Sequence, residues 1–387
     1  MKALFVTHSF PRFDGDSAGS FILRLASALG RHDWQVRVVA PSAPGLAASD
    51  VIQEIEVRRF RYARRARETL AYRGTMAEEV AGSLAGKLAL GSFLIAEAAT
   101  VRSQIAEWKP DVVHAHWWFP NGLASATASG FAAVPLVTTC HGTDLRLLQT
   151  KRAARPLARY VFNRSVAVTC VSTWLAEQAA PLCRTAPVVA PMPVETSLFQ
   201  PTADRDSNRI VFVGRLSKQK GIESALRALA SMRRSIVLDV IGDGPDRAAL
   251  VALAAQLGIS DRVLWRGHVR HTELPALLGR ASVLIAPFID EGLGLVAVEA
   301  QLCATPPVGF ASGGLTDVIE NDVTGLLVAP RDVPALAAAV ERIVTDATLR
   351  ERLGSAGRTA ALARFSPDAV ALRYAQLYRS AMESHAQ

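Results

Sequence analysis

The chain has 387 residues, half of them hydrophobic and a fifth charged, which excludes a disordered chain and is enough for two ordinary hydrophobic cores. Its formal net charge is +8; positions 1–195 hold 22 basic and 15 acidic residues, whereas positions 196–387 hold 21 and 20. The basic excess therefore lies in the first half, which could face nucleic acid, an anionic membrane surface or a phosphorylated substrate.

The four cysteines form no pair with the spacing of a redox motif or a zinc site. Free thiols are expected, in line with a reducing cytoplasm. The sequence MKALFVTHSF is expected to form a first strand rather than a signal peptide, because its apolar run is short. The longest apolar stretch, Leu88–Val101, contains Ser92 and Glu97 and is expected to be too short and too mixed to span a bilayer.

In the first half of the chain, short apolar runs alternate with helical patterns. The predicted strands are, in order, ALFVTH, VRVVAP, DVVHAH, LVTTCHG and AVTCVS, and a helix is predicted near Ser20–Gly30 after the first of them. Each run is bounded by turn residues, and helical segments separate the runs. This order predicts parallel sheet with helices on both faces.

The segment VVAPMPVETSLFQPTADRDSNR interrupts this alternation and is predicted to link two domains. Beyond it the strands IVFVGRL, IVLDVIGDG, RVLWRGHV, SVLIAPF, PPVGF and GLLVAP are predicted. The sequence thus predicts an α/β fold of two doubly wound, Rossmann-like parallel-sheet domains, 1–195 and 196–365, facing across a cleft. A final helix, 366–387, is expected to pack back on the first domain, and ligands are expected at the carboxyl ends of strands.

An arginine-rich segment, RRFRYARRARETLAYRG, places six arginines between Arg58 and Arg67. One interpretation is a solvated basic loop or helix face. The other is a site for an anionic acceptor or a peripheral contact with an anionic membrane. The sequence leaves both open.

The segment IVFVGRLSKQKGIESALRALA is predicted to be a strand, a loop and a helix. Gly214 ends the strand, Arg215 and Lys220 flank the loop, and the helix is predicted to begin near Lys220. Two cations beside a helix N-terminus would hold a diphosphate well. The alternative is an ordinary loop with two surface cations, and the absence of a Walker sequence excludes a P-loop NTPase.

The segment DEGLGLVAVEA follows the strand SVLIAPF and places Glu291 in a loop and Glu299 in the helix after it. Gly292 and Gly294 would let the backbone approach a ligand. A carboxylate at Glu299 would suit two vicinal hydroxyls, as in a ribose. In the alternative interpretation Glu299 is solvated and Glu291 caps the helix, although the apolar neighbours of Glu299 disfavour this.

Polar residues also follow predicted strands of the first domain. In TTCHGTDL, His141 and Asp144 lie where the cleft is expected, as substrate contacts or as structural residues. In HAHWWFPNG, packing of the two tryptophans is the simpler interpretation. Gly19, at the start of the first helix, is a further candidate for phosphate contact.

Together these motifs resemble those of the retaining GT-B glycosyltransferases of the family 4 type. The resemblance covers nearly the whole chain and is strongest in FVGRLSKQKGIESALRAL, VIGDGPDRAAL and GGLTDVIENDVTGLLVAP, together with two glutamates separated by seven residues. Two departures are the sequence SAGSF, where the family often has a glycine pair, and Met192, where asparagine is common.

The resemblance implies a nucleotide-sugar donor bound mainly by the second domain. It implies that Glu299 takes the ribose hydroxyls, that Arg215 and Lys220 hold the departing diphosphate, and that Glu291 and His141 lie at the donor sugar. The remaining donor contacts that it implies are Gly19, Gly214, Val269 (to the base), Gly292, Leu293, Gly294 and Leu295. Loops of the first domain are expected to shape the acceptor site, with Asp14, Asp16, Tyr72, Arg73 and Asp144 as candidates.

The expected chemistry follows from the negative charge of a leaving nucleoside diphosphate. Fixed cations and helix N-termini can stabilise that charge, so we expect neither a metal nor a cofactor. The resemblance implies retention of anomeric configuration by front-face attack through an oxocarbenium-like state.

The expected activity is therefore transfer of a sugar, from a UDP-sugar rather than a GDP-sugar, to an acceptor hydroxyl. The acceptor could be a lipid-linked glycan, a polysaccharide or a specialised aglycone. The alternatives are a nucleotide-sugar-binding protein or a sugar-nucleotide epimerase of the same architecture. We expect a cytoplasmic protein without a nucleic acid partner, held at the inner membrane face if the arginine-rich segment binds lipid.

Overall fold

A computed structural model describes residues 1–64, 67–72, 76–129 and 134–386. The chain divides into two compact units, Met1–Pro193 with Pro367–Gln387 and Val194–Ser366. The boundary between them falls in the proline-rich segment, and the final helix belongs to the first unit.

The first unit is built on a sheet that runs parallel except at one edge. Its strands are β1 (Lys2–Val6), β2 (Gln35–Pro41), β3 (Ser49–Ile52), β4 (Ile55–Phe60), β5 (Val112–His116), β6 (Leu136–Cys140), β7 (Ala167–Cys170) and β8 (Val188–Val189). Their order in the sheet is β3-β4-β2-β1-β5-β6-β7-β8, and β3 pairs antiparallel with β4. β5 and β6 are buried along their whole length, as strands covered on both faces should be.

The second unit is built on a wholly parallel sheet. Its strands are β9 (Asp206–Val213), β10 (Val237–Ile241), β11 (Val263–Gly267), β12 (Ala281–Ala286), β13 (Pro307–Phe310) and β14 (Leu326–Val328). The order β11-β10-β9-β12-β13-β14 reverses direction between β9 and β12. Such a reversal is where doubly wound sheets bind ligands. The loops that follow β9 and β12 therefore begin side by side.

Helices cover both sheets. They are α1 (Ser20–Gly30), α2 (Met76–Gly82), α3 (Leu84–Trp108), α4 (Leu123–Ser129), α5 (Thr143–Thr150), α6 (Arg155–Arg164), α7 (Thr173–Ala179), α8 (Ile222–Ser231), α9 (Arg247–Gln256), α10 (Leu274–Arg280), α11 (Leu295–Leu302), α12 (Leu315–Val318), α13 (Val333–Thr345), α14 (Ala347–Phe365) and α15 (Pro367–Ala386). The predicted fold class, two doubly wound domains of parallel sheet, is confirmed.

The final helix, α15, packs against elements of the first unit. The Tyr378 ring lies edge-on to the Trp34 ring with centroids 5.1 Å apart, and the Tyr378 hydroxyl lies 2.6 Å from Nδ1 of His114. At the N-terminal end of α15, Arg31 forms an ion pair with Asp368 at 2.8 Å. Aromatic burial and a buried hydrogen bond thus hold the chain's last helix to its first domain.

Two features of the first unit differ from the sequence-based expectation. Arg58 and Arg59 lie in strand β4, not in a loop or on a helix face. Regular β pairing with β2 and β3 outweighs the poor strand propensity of a basic sequence. The apolar stretch expected to be short belongs to α3, which has, among the described residues, the length and apolar composition of a membrane-spanning helix.

Candidate active site

The loop between β9 and α8 lies against the end of β12. Its last residue, Gly221, has a left-handed backbone with φ 65° and is the N-cap of α8. A β-carbon there would clash with the Pro287 carbonyl oxygen, so both the backbone angle and the close approach require glycine. The cationic residues of this loop are thereby fixed beside the loop that follows β12.

Two of the three cations of the β9–α8 loop, Lys220 and Arg215, have different surroundings. Nζ of Lys220 lies 2.8 Å from Oε2 of Glu291 and 4.6 Å from the centroid of the Phe288 ring. Both charged side chains are mostly buried, at 22% and 17% exposed, so this pair is screened less than a surface pair. Arg215 is exposed and makes no ion pair with the side chains that the structure describes. The site therefore holds one paired and one solvent-facing cation.

The loop between β12 and α11 is held by a glycine pair. The Gly314 N–H donates to the Glu291 carbonyl oxygen at 2.8 Å, and the Asp290 N–H donates to Oγ of Ser312 at 3.1 Å. β-Carbons at Gly313 and Gly314 would clash with the backbone of this loop. No role for this pair was predicted from the sequence, although a doubled glycine after a strand is a signal for close backbone approach.

Helix α11 begins directly after this loop. Gly294 is its N-cap with φ 87°, and Leu295 is the first helical residue. The N–H groups of a first turn lack intrahelical acceptors and carry the positive end of the helix dipole. Gly292, Leu293 and Leu295 thus lie where an anion would be favoured. Glu291 is not the cap of this helix, so the alternative interpretation of that residue is wrong.

The carboxylate of Glu299 lies one turn further along α11. Its side chain is 13% exposed, and Oε1 lies 3.5 Å from Nε2 of His271. His271 packs edge-on against the Phe199 ring at 5.3 Å between centroids. Val269 lies half-buried in the same loop after β11. His271 could not be predicted from the sequence, because only the fold shows which loop meets the α11 carboxylate.

In the first unit, histidines gather at the carboxyl ends of β5 and β6. Nε2 of His141 lies 3.2 Å from Nδ1 of His116, and the Trp117 ring packs at 4.3 Å between centroids. Burial, followed by the charges of the neighbouring His114 and His8, lowers the pKa of His141 well below its ordinary value. The imidazole is therefore neutral at pH 7 and acts through hydrogen bonds rather than charge.

Asp144 was expected to contact the acceptor, but the structure places it differently. Asp144 is buried, with only 4% of its surface exposed. Oδ1 accepts the N–H groups of His141, Gly142 and Leu145, and Oδ2 accepts the N–H of Trp118. A short acid after a strand satisfies nearby backbone donors, and here it fixes the loop that carries His141.

Gly19 lies at the start of α1 with φ 64°. A β-carbon there would clash with the Ser9 carbonyl oxygen, so the close approach of two loops by itself requires glycine. Its predicted contact with phosphate stays a prediction.

The other acceptor candidates lie mostly in one cluster of the first unit. Nε of Arg12 donates to Oδ2 of Asp16 at 2.6 Å, and the Arg12 guanidinium lies 5.2 Å from the centroid of the Tyr72 ring. The Tyr72 hydroxyl donates to the Pro41 carbonyl oxygen, and burial raises its pKa to about 12. Asp14 is separate and accepts a hydrogen bond from Gln53. Arg73 lies outside the described residues.

Asp14 and Asp16 also form an acid–glycine–acid triplet, a spacing that could present two carboxylates to a cation. The Asp16 carboxylate is occupied by the Arg12 guanidinium and backbone. No cluster of three or more His, Cys, Asp or Glu residues suited to a metal ion occurs among the described residues.

Two family models together match nearly the whole chain. Residues 18–198 match Glycosyltransferase Family 4, and residues 194–360 match Glycosyl transferases group 1. A Mycobacterium tuberculosis protein named glycogen synthase is 33% identical over 332 residues, covering 79% of this chain and 77% of that protein. The chain is a family 4 glycosyltransferase of the GT-B type. The predicted family is thereby confirmed, and with it an enzyme that transfers sugars.

Solved structures of this glycosyltransferase fold superpose over almost the entire chain. Sucrose-phosphate synthase from Thermosynechococcus elongatus matches with a TM-score of 0.80 at 23% identity, covering 99% of both chains. Anabaena HepE in complex with UDP-glucose matches with a TM-score of 0.73 at 20% identity, covering 98% of this chain and 100% of that one. At these identities the likeness shows the GT-B fold alone.

Proposed function

We propose that this glycosyltransferase transfers a sugar from a UDP-sugar to an acceptor hydroxyl with retention of configuration and without a metal ion. The observation that carries the proposal is the grouping at the β9/β12 reversal of the second unit. There a paired lysine, an exposed arginine and the first turn of α11 adjoin a helix-borne carboxylate. These groups supply what a sugar nucleotide needs: cations and N–H donors for diphosphate, and a carboxylate for ribose.

In this proposal the donor lies along α11 from its N-terminus. The diphosphate accepts hydrogen bonds from the N–H groups near Leu293, Gly294 and Leu295. The ribose hydroxyls donate to Glu299, and main chain near Val269 contacts the base. Glu299 suits this role because its carboxylate is largely shielded from water, which strengthens a hydrogen bond to a hydroxyl.

The Lys220–Glu291 pair has a further consequence for the chemistry. The lysine ammonium donates a hydrogen bond to Oε2 of Glu291 at 2.8 Å. Binding of a diphosphate brings new anionic oxygens to the same ammonium, which leaves Glu291 able to accept a hydrogen bond from a hydroxyl of the donor sugar. As the bond to the sugar breaks, charge grows on the leaving phosphate, and Arg215 and Lys220 stabilise it more in the transition state than in the ground state.

Retention is proposed from the family resemblance. In a front-face reaction the acceptor hydroxyl attacks from the side of the leaving group, and its proton passes to a departing phosphate oxygen. His141 is proposed to hold a hydroxyl of the donor sugar. Its neutral ring suits that role, since a neutral imidazole can accept or donate one hydrogen bond.

UDP is favoured over GDP by analogy, since Anabaena HepE of similar fold was solved with UDP-glucose. The acceptor is proposed to be a lipid-linked glycan, a polysaccharide or a specialised aglycone.

The test is a donor screen without acceptor. Hydrolysis of UDP-sugars and GDP-sugars is measured with and without a metal chelator, and melting temperature is followed with UDP and with GDP. We expect UDP to raise the melting temperature, and one UDP-sugar to be hydrolysed at the same rate with chelator present. Loss of activity in chelator would overturn metal independence, and a response to GDP alone would overturn the donor assignment.

A further inference from the structure

Helix α3 of the first unit presents an apolar face to solvent. Its large aliphatic side chains Leu84, Leu88 and Ile95 are 74%, 66% and 74% exposed. The opposite side of the helix packs into the core through Phe93 and Val101. One side of the helix is therefore packed against the core and the other side is exposed. An exposed aliphatic surface of this extent is unusual.

The exposed side chains form one stripe. Helical periodicity places residues 84, 88, 91, 95, 99 and 102 on the same side of α3. Between Leu88 and Arg102 the exposed members are Gly91, Ile95 and Ala99, which carry no charge. At 1.5 Å per residue the stripe runs for roughly 27 Å. The stripe is long and narrow, and its middle part carries no charged side chain.

The exposed charges that α3 itself places beside the stripe have one sign. Between Leu84 and Arg102, the exposed charged residues of α3 are Lys87 and Arg102. The acid in this stretch, Glu97, is fully buried on the core side. The next exposed acid on the helix, Glu107, lies in the last turn.

More cations lie on the segment that packs against α3. Tyr62 contacts Phe93 of the helix with ring centroids 5.0 Å apart. The exposed arginines of this segment, in its described part, are Arg61, Arg64 and Arg67. Arg59, by contrast, is buried and donates to the Pro11 carbonyl oxygen, so it is structural. Arg61 forms an ion pair with the buried Glu68 at 3.6 Å, which leaves Arg64 and Arg67 of the described part to face an anionic surface.

We propose that α3 is an interfacial helix that lies flat in the surface of an anionic lipid bilayer, with its aliphatic stripe among the acyl chains. A helix with an apolar face flanked by lysine and arginine binds such a surface through both burial and charge. The first unit would then work at the membrane, within reach of a lipid-linked acceptor.

A second copy of the chain fits this surface poorly. In an antiparallel two-fold contact centred on the stripe, Lys87 of one copy would approach Arg102 of the other. In a parallel contact each lysine would face its own equivalent. Both arrangements bring like charges together at the edge of an apolar contact, whereas lipid phosphates neutralise them.

The test is sedimentation of the whole protein with vesicles of phosphatidylcholine, with and without phosphatidylglycerol. We expect binding only to the vesicles that contain phosphatidylglycerol, and weaker binding at high salt. Leu88→Glu or Ile95→Glu should lower the bound fraction at least tenfold. The matched control is Leu372→Glu, which places the same charge on α15 at a residue 55% exposed, and it should bind as the wild type does.

Each variant is also checked for melting temperature and for hydrolysis of the donor, both of which we expect to be unchanged. Equal vesicle binding by the wild type and Ile95→Glu would overturn the proposal. So would a wild-type dimer in sedimentation velocity that Ile95→Glu dissociates, because that result assigns the stripe to a second copy. The binding readout needs no sugar transfer, so it stands apart from the test of the proposed activity.

Discussion

The carboxylate of Glu299 carries the assignment of the ribose site. We predict that Glu299→Ala weakens binding of UDP at least tenfold, about 1.4 kcal/mol, in titration calorimetry. The variant removes the hydroxyl acceptor without touching the first turn of α11. If the carboxylate binds both ribose hydroxyls, Glu299→Ala should weaken binding of 2′-deoxy-UDP less than binding of UDP, because only the 3′-hydroxyl contact is then left to lose. A wild type that shows no preference for the 2′-hydroxyl would contradict the assignment.

His271 is predicted to position Glu299. Its Nε2 lies 3.5 Å from the carboxylate, and its ring is set by Phe199. His271→Ala should raise the KM for the donor about threefold, ~0.7 kcal/mol, and leave kcat nearly unchanged, because a half-exposed contact contributes little. His271→Gln keeps a nitrogen donor and should restore the KM.

The neighbouring Arg270→Ala serves as the control for His271, since Arg270 pairs with Glu273 and has no described contact with Glu299. A change in kcat without a change in KM would contradict a positioning role.

The role of a single residue could be predicted from the sequence where the residue belongs to a motif within one continuous segment. The spacing of Glu291 and Glu299 around two glycines was enough to expect a donor loop and a helix-borne acid. His271 could not be expected, because its contact joins the loop after β11 to the carboxylate of helix α11, 28 residues further along the chain. For Asp144 the difficulty was different. Three of its four N–H partners lie within three residues of it, and from the sequence a polar residue after a strand can bind either backbone or ligand.

Helix α3 contains a buried acid on its core side. Both carboxylate oxygens of Glu97 lack a hydrogen-bond partner among the described residues, and burial raises its pKa well above the ordinary value. The folded state therefore favours the protonated form. The contribution of this neutral carboxyl to the stability of the folded state is complete below the unfolded pKa, about 4.3. It is lost as the pH rises through the folded pKa.

We predict that Glu97→Gln stabilises the protein at pH 8, by about 1–2 kcal/mol. The gain should shrink as the pH falls toward 4.3, because the wild-type side chain then becomes neutral as well. Chemical denaturation at several pH values measures the difference in the free energy of unfolding between variant and wild type. The control is Glu383→Gln, at an exposed residue. A gain that does not vary with pH would show that the charge of Glu97 is not the cause.

Elements with strong apolar runs could be predicted, and those without could not. The alternation of buried strands and helices was sufficient for β1, β2 and the strands of the second unit. The strands β3 and β4 were not predicted because their sequences are polar and basic, and because the pairing of β4 depends on its neighbour β2. The length of α3 was underestimated because Ser92 and Glu97 look like interruptions, whereas a helix accommodates both.

For the whole molecule, the sequence predicted the two-domain GT-B architecture and the family. It could do so because both follow from the order of elements and from motifs that each lie within one loop and helix. The basic excess of the first half also pointed toward an anionic surface. It did not show where, because the arginine-rich segment is divided between structural residues such as Arg59 and exposed ones, and the α3 stripe is visible only once its outer face is known.

Arg215 and Lys220 are proposed to stabilise the departing diphosphate. The most direct measurement is kcat for donor hydrolysis in Arg215→Ala and Lys220→Ala, compared with Lys218→Ala, an exposed lysine of the same loop. We predict a loss on the order of a hundredfold or more in each of the first two variants, with little change in melting temperature and normal turnover in the control. Wild-type kcat in Arg215→Ala and Lys220→Ala, or a loss of turnover that only follows a loss of folding, would contradict the account.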